Sequence, residues 1–197
     1  MLEGFDLNAP NIMLSGGAEG ADTAFSKAAS SAGHQVVHWT FAGYKSKLKK
    51  GIYQLSEEHL IGSEQSVNRA NKNLLRSYPS KNDHINNLLR RNYFQVRWSE
   101  SVYAIGRLDD SNSMLKIAGG TAWACQMYVD RFIYDQEPMS LCKLYLFDMN
   151  TEKWYQWNKI WYDLAEQPPM PVGVYAGIGS RDISDAGKSA INNLYKA

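Results

Sequence analysis

Short apolar runs alternate along this chain with stretches whose apolar residues recur at helical spacing. Asn11–Ser15, with Ile12, Met13 and Leu14 in succession, reads as a strand, and Thr23–Ala32 as a helix closed by Gly33. His34–Trp39 reads as a second short strand. Residues 40–56 hold glycines and a lysine run, and they read as loop. Glu57–Tyr78 is mostly helical in pattern, with Pro79 as its stop. Asn82 and Asp83 are suited to capping a helix that runs through Gln95. Ser101–Gly106 is a strand, Ala122–Phe132 a helix and Leu144–Phe147 a strand. Trp154–Trp157 reads as a short extra strand on an edge. Pro168–Pro171 is a rigid linker, Val172–Ala176 another strand and Ser184–Lys196 a final helix.

Most of these strands are apolar on both faces, the pattern of a parallel sheet covered by helices. The chain therefore predicts an α/β fold, one domain over 1–197, with residues 44–98 as a helical, basic insertion. Three glycine turns follow strands: Ser15-Gly16-Gly17 with Gly20, Gly119-Gly120-Thr121, and Gly177-Ile178-Gly179-Ser180-Arg181. In such sheets ligands bind beyond the strands' C-terminal ends. A helix N-terminus behind a glycine turn offers N–H groups and positive dipole to a phosphate. The glycine spacing fits neither the P-loop nor the dinucleotide-binding fingerprint.

Charge changes the picture more than composition does. With 44% hydrophobic and 21% charged residues, the chain reads as an ordinary globular protein. No run has the length of a membrane span, and the N-terminal residues carry no signal-peptide pattern. Cys125 and Cys142 lack metal spacing and read as buried thiols of a cytoplasmic protein. The net charge of +1 hides an asymmetry. Between Tyr44 and Trp98 eleven Lys/Arg face four acids, so that window is +7 and the remainder −6. Most of these lysines read as a solvated helical face. A basic segment beside glycine turns also suits a small anionic ligand, while the overall charge does not demand nucleic acid.

Taken together, the three glycine turns resemble the SLOG superfamily. Its members include the LOG-type nucleoside-monophosphate phosphoribohydrolases, the DprA DNA-processing fold and nucleotide-sensing domains of bacterial immune effectors. The resemblance to small phage and bacterial members rests on Tyr175–Arg181, Ser15–Asp22, Leu88–Val96, Gly119–Gln126 and Lys153–Trp157. It implies a Rossmann-like three-layer sandwich. In that family the Gly-Ile-Gly-Ser-Arg strand comes first and runs by one helix into the Ser-Gly-Gly-Ala strand. Here it lies at the C-terminus, so the chain reads as a circular permutant, with Met1 and Ala197 expected close together. LOG-type hydrolases carry Gly-Gly-x-Gly-Thr-x-x-Glu. The matching run here places Gln126 in the glutamate's slot, and an amide cannot serve as a carboxylate base. Ala122 and Trp123 also depart from the motif, and Trp123 either stacks on a base or fills the core.

Arg181 suits bidentate phosphate contact. Asp22 would bind a ribose hydroxyl or complement its helix N-terminus, whereas Glu19 would repel a phosphate and point away. Arg90, Arg91 and Asn92 share a helix, and one of the two arginines is expected to reach the site, with Gln95 one turn on from Arg91. The candidate ligand-binding set is Ser15, Gly16, Gly17, Gly20, Asp22, Arg90, Arg91, Asn92, Gly119, Gly120, Thr121, Gln126, Gly179, Ser180 and Arg181. No catalytic residue, metal ligand or cofactor is assigned, since His34, His38, His59 and His84 show no metal spacing. The first functional reading is a homo-oligomeric protein that binds a nucleotide or an ADP-ribose-like signal without turnover, as in phage counter-defence. The second is a nucleoside-phosphate N-glycosidase using Glu19 or Asp22, and the third a DprA-like DNA-binding module.

Overall fold

The computed structural model describes residues 6, 8–46 and 48–196. Its strands are β1 (Asn11–Ser15), β2 (Gln35–Phe41), β3 (Ile52–Leu55), β4 (Ser101–Gly106), β5 (Leu144–Asp148), β6 (Lys153–Asn158), β7 (Ile160–Asp163) and β8 (Gly173–Gly179). Its helices are α1 (Ala21–Ser31), α2 (Glu57–Gly62), α3 (Glu64–Leu74), α4 (Asp83–Val96), α5 (Thr121–Tyr134) and α6 (Asp185–Leu194). One sheet runs β3-β2-β1-β8-β4-β5-β6-β7. Neighbours are parallel from β3 to β5, and the β5–β6 and β6–β7 pairs are antiparallel. β4 and β5 are buried at every position, which is why they read as unbroken apolar runs.

Helices cover both faces and make the expected three-layer α/β sandwich. On one face α1 and α6 pack Phe25, Ile191 and Leu194 against Tyr103, Tyr145 and Tyr175. On the other, α3 and α5 bring Val67, Leu74 and Val129 onto Val102, Leu144 and Ile178, and Phe94 of α4 joins Leu14, Trp39 and Leu55. The helix after β1 and the helix after β4 thus lie on opposite faces. The winding reverses between those strands, with β8 in the middle, so a crevice opens beyond the ends of β1, β8 and β4. All three strands point the same way, as the shared-site reading requires.

β8 lies beside β1 with Val174 opposite Ile12, the neighbour relation expected of the permuted order. Met1 and Ala197 are outside the described residues. Nearer the ends, the Asp6 N–H donates to Gln35 Oε1 at 2.9 Å, and the Tyr195 ring packs edge-on to His34 at 5.5 Å. Both ends of the described chain therefore meet the start of β2, away from the crevice.

The structure corrects several local expectations. The 40–56 loop contains β3, and β6 is not an edge, because β7 pairs outside it. The predicted helix over 57–78 breaks at Ser63 and stops at Leu74, after which Leu75 takes a positive φ of 54°. The strand expected to end at Ala176 continues to Gly179. Gly177 serves close packing there, since a Cβ on it would lie 2.7 Å from Cγ of Phe25. Gly177→Ala should therefore cost ~1–3 kcal/mol by overpacking. In urea or thermal melts the double variant with Phe25→Leu should lose less than the sum of the two single changes.

Candidate functional site

The crevice is a cleft of about 480 Å³. Its floor is Gly179, Ser180 and Arg181 after β8, with Gly106 and Arg107 at the end of β4. Gly119, Gly120 and Thr121 at the start of α5 close one side, and Ala18 and Asp22 the other. α4 roofs it with Ile85, Leu88, Leu89, Arg91, Asn92 and Gln95. One wall is thus aliphatic and the opposite one basic and glycine-lined.

The turn after β1 is closed by the chain itself. Asp22 Oδ2 accepts the N–H of Gly16 and of Ala18, each at 3.2 Å, and Ser15 Oγ accepts the Gly17 N–H at 3.4 Å. The Gly20 carbonyl begins α1, while the Ala21 N–H donates to Ser180 O at 3.0 Å. Burial raises the Asp22 carboxyl above the usual aspartate value, and the charge of Arg91 and the N–H groups of Ala18, Gly16 and Gly179 pull it back. Arg91, 5% exposed, donates from Nη1 to Gly16 O at 2.9 Å and lies 4.7 Å over the Tyr44 ring. A Cβ on Gly16 would sit 2.6 Å from Arg91 Nη2 and from Gln95 Nε2, so a side chain there would push both ends out of their present positions.

The turn before α5 is open. No side chain caps this helix, and Gly119 and Gly120 are exposed. Arg76 braces the turn from behind, donating to the carbonyls of Gly119 and Ile117. Arg107 pairs loosely with the exposed Asp182 at 3.7 Å, a contact of small energetic weight. The exposed Arg181 makes no ion pair or hydrogen bond among the described residues. Three arginines, Arg91, Arg107 and Arg181, therefore line one cleft whose walls, among the described residues, hold a single carboxylate. That carboxylate is already engaged with backbone N–H groups.

Of the residues expected at the site, the structure gathers Asp22, Arg91, Asn92, Gly119, Gly120, Thr121, Gly179, Ser180 and Arg181 on the walls. Ser15, Gly16, Gly17 and Gly20 lie behind it and support the turn. Arg90 is turned away, held by Glu64 at 2.7 Å and Asn87 at 3.0 Å. Glu19 is exposed and is not among the walls. Gln126 lies outside the cleft, fully buried, with its amide donating to Asp130 at 2.8 Å. The α5 residues that meet the cleft are Thr121 and Ala124, so no carboxylate or amide of α5 reaches it. Trp123 belongs to the core, against Tyr78. Sequence reasoning missed Arg107, although its place directly after the strand end at Gly106 was a usable signal. It also missed the aliphatic wall of Ile85, Leu88 and Leu89.

No protein-family model, no curated protein and no solved structure matches this chain.

The network around Gln126 has its own pH signature. Asp130, 4% exposed, accepts from Gln126 and from Asn73 at 2.8 Å, while its Oδ2 and Gln126 Oε1 are buried without partners. Burial pushes its carboxyl up to about 6, against the hydrogen bonds from Gln126 and Asn73. A folded-state value above the unfolded one means stability is fullest at low pH and falls as pH rises through about 6. Asp130→Asn cannot ionise, and it gains an N–H₂ to offer the Gln126 oxygen. Its melting temperature relative to the parent chain should climb between pH 4 and 7, toward a gain of up to about 3 kcal/mol. Thermal melts across that pH range check this, and a flat difference would contradict it.

Proposed function

We propose that the cleft binds a phosphate-bearing nucleotide or nucleotide-derived signal and holds it without turning it over. The observation that carries this reading is that Arg107, Arg181 and Arg91 line the same cleft as the uncapped start of α5. Guanidinium groups and a helix N-terminus favour phosphate by charge and by donor geometry. The aliphatic residues of α4 offer a face for a base, and the amides of Asn92 and Gln95 offer partners for sugar hydroxyls. The phosphate would sit at α5 and the floor, because the N–H groups of the β1 turn are already taken by Asp22.

The same inventory supports the reading without turnover. Hydrolysis of a base–ribose bond needs a carboxylate free to act as a base or to stabilise positive charge. Among the described residues Asp22 is the only carboxylate on the walls, and it is held by two N–H groups of its own turn. Sequestering a signal in this way is the role a phage would use against a nucleotide-triggered defence. A homo-oligomer is part of the same reading.

Arg181→Ala should weaken binding of AMP, ADP-ribose or a cyclic nucleotide by ~1.5–3 kcal/mol, with little change in melting temperature because the side chain is exposed. Isothermal titration of both chains measures this. Ligand recovered by liquid chromatography after denaturation should be intact. Free base or ribose phosphate over many turnovers would overturn the sequestering role and favour a glycosidase, in which Asp22→Asn would abolish product.

A further inference from the structure

β7 is the last strand of the sheet, and among the described residues no strand pairs on its outer side. The Leu164 N–H donates to Trp154 O at 2.9 Å, in the same register that pairs β7 with β6. In an antiparallel pair such bonds fall on every second residue. Tyr162 and Ile160 therefore turn their N–H and C=O groups toward β6, while Trp161 and Asp163 turn theirs to the open edge. Native proteins usually blunt such an edge with a proline, a bulge or a covering element. β7 carries no proline, and Ile160 and Tyr162, on one face of it, are 58% and 50% exposed.

The edge is also held in place. Trp161 donates its Nε1–H to Leu115 O at 2.7 Å and packs edge-on to Trp157 with ring centroids 5.2 Å apart. Lys153 of β6 pairs with Asp163 at 2.7 Å. At the other end Lys159 is exposed and makes no ion pair among the described residues. The edge thus runs from a cation to an anion, with Ile160, Trp161 and Tyr162 between them. β3, at the opposite edge of the sheet, is flanked by the uncharged Gly51 and Ser56.

We propose that β7 is the contact surface for a second copy of this chain, the two edges pairing antiparallel about a two-fold axis at Trp161. Backbone and charge together select this register. Centring the pair on Asp163 would set two carboxylates opposite each other, and centring it on Tyr162 would leave Lys159 and Asp163 unmatched. Centring it on Trp161 lets the two Trp161 backbones exchange both hydrogen bonds. By symmetry it twice sets Lys159 opposite Asp163 of the other copy, and twice sets Ile160 opposite Tyr162. The pairing covers the exposed Ile160 and Tyr162 of both copies and joins the two sheets into one. This inference builds on the homo-oligomer of the proposed reading and supplies its surface; the ligand of the cleft plays no part in it.

Sedimentation equilibrium of the parent chain should show a monomer–dimer equilibrium. Asp163→Pro removes an outward N–H and a charge at an exposed position that is not on the cleft walls. It should weaken the dimer at least ~10-fold, because two hydrogen bonds are lost per pair. The register is read with cysteines, since the native Cys125 and Cys142 are buried. Under mild oxidation the Ile160→Cys/Tyr162→Cys chain should form a disulfide-linked dimer, because directly opposed residues lie within disulfide reach. Either single change should leave the chain uncrosslinked. The cysteine pair decides the matter however well Asp163→Pro folds. A parent chain that stays monomeric, a dimer that Asp163→Pro leaves intact, a double-cysteine chain that does not cross-link, or cross-linking by Tyr162→Cys alone would each overturn the proposal. A dimer that survives Asp163→Pro keeps the homo-oligomer while removing this surface from it. Nucleotide binding by the same variant tests the cleft separately.

Discussion

The crossing point of the sheet depends on one buried carboxylate. Asp22 draws the N–H groups of Gly16 and Ala18 onto a single oxygen, and Arg91 takes the carbonyl of Gly16 from the other side. Those contacts join the end of β1, the first turn of α1 and the middle of α4. A buried charge of this kind is tolerable only when it is hydrogen-bonded and faces an opposite charge. The glycine at 16 follows from it, because Arg91 and Gln95 occupy the space where a side chain would begin. The geometry of the cleft follows as well. With the β1 turn sealed by its own side chain, the unsealed start of α5 is left as the place where the backbone presents donors to the cleft.

α4 works on two sides at once. Arg91, Asn92 and Gln95 face the cleft, while Phe94 and the following Trp98 face Trp39 across the sheet. The helix is anchored by Asn82, whose side chain caps it at His84 and Ile85. The polar face that meets the cleft is thus positioned by the apolar face that packs on β1 and β2. This division explains how a strongly basic stretch of sequence can contribute both a core element and a wall of the cleft.

The sequence made the central strands and the capped helix legible because burial there is complete and periodic. β1 and β4 run over the residues their apolar runs indicate, and α4 begins where Asn82 indicates. β3 and β7 were not legible. Each is four residues long, β3 exposed at two positions and β7 at three, and the left-handed position of the β6–β7 turn is taken by Lys159 at a φ of 66° rather than by a glycine or asparagine. The cleft was legible where glycine turns mark it, at the strand end Gly179–Arg181 and at the helix start Gly119–Thr121. It was misjudged where a linear motif had to be wrapped onto a helix. Gln126 is two residues past Ala124, roughly 200° around α5, and it faces Asp130 instead of the cleft. Arg90 and Arg91 illustrate the same geometry, since neighbours on a helix point about 100° apart and only Arg91 looks inward.

Among the described residues the walls of the cleft contain no aromatic ring. The rings gather elsewhere, with Trp39, Phe94 and half-exposed Trp98 tilted against one another at α4 and Trp157 against Trp161 at the far edge of the sheet. The molecule's ultraviolet emission is consequently a gauge of how α4 and the β6–β7 hairpin are seated. A guest in the cleft touches no indole, so light from the tryptophans would register its arrival only through a movement of the scaffold.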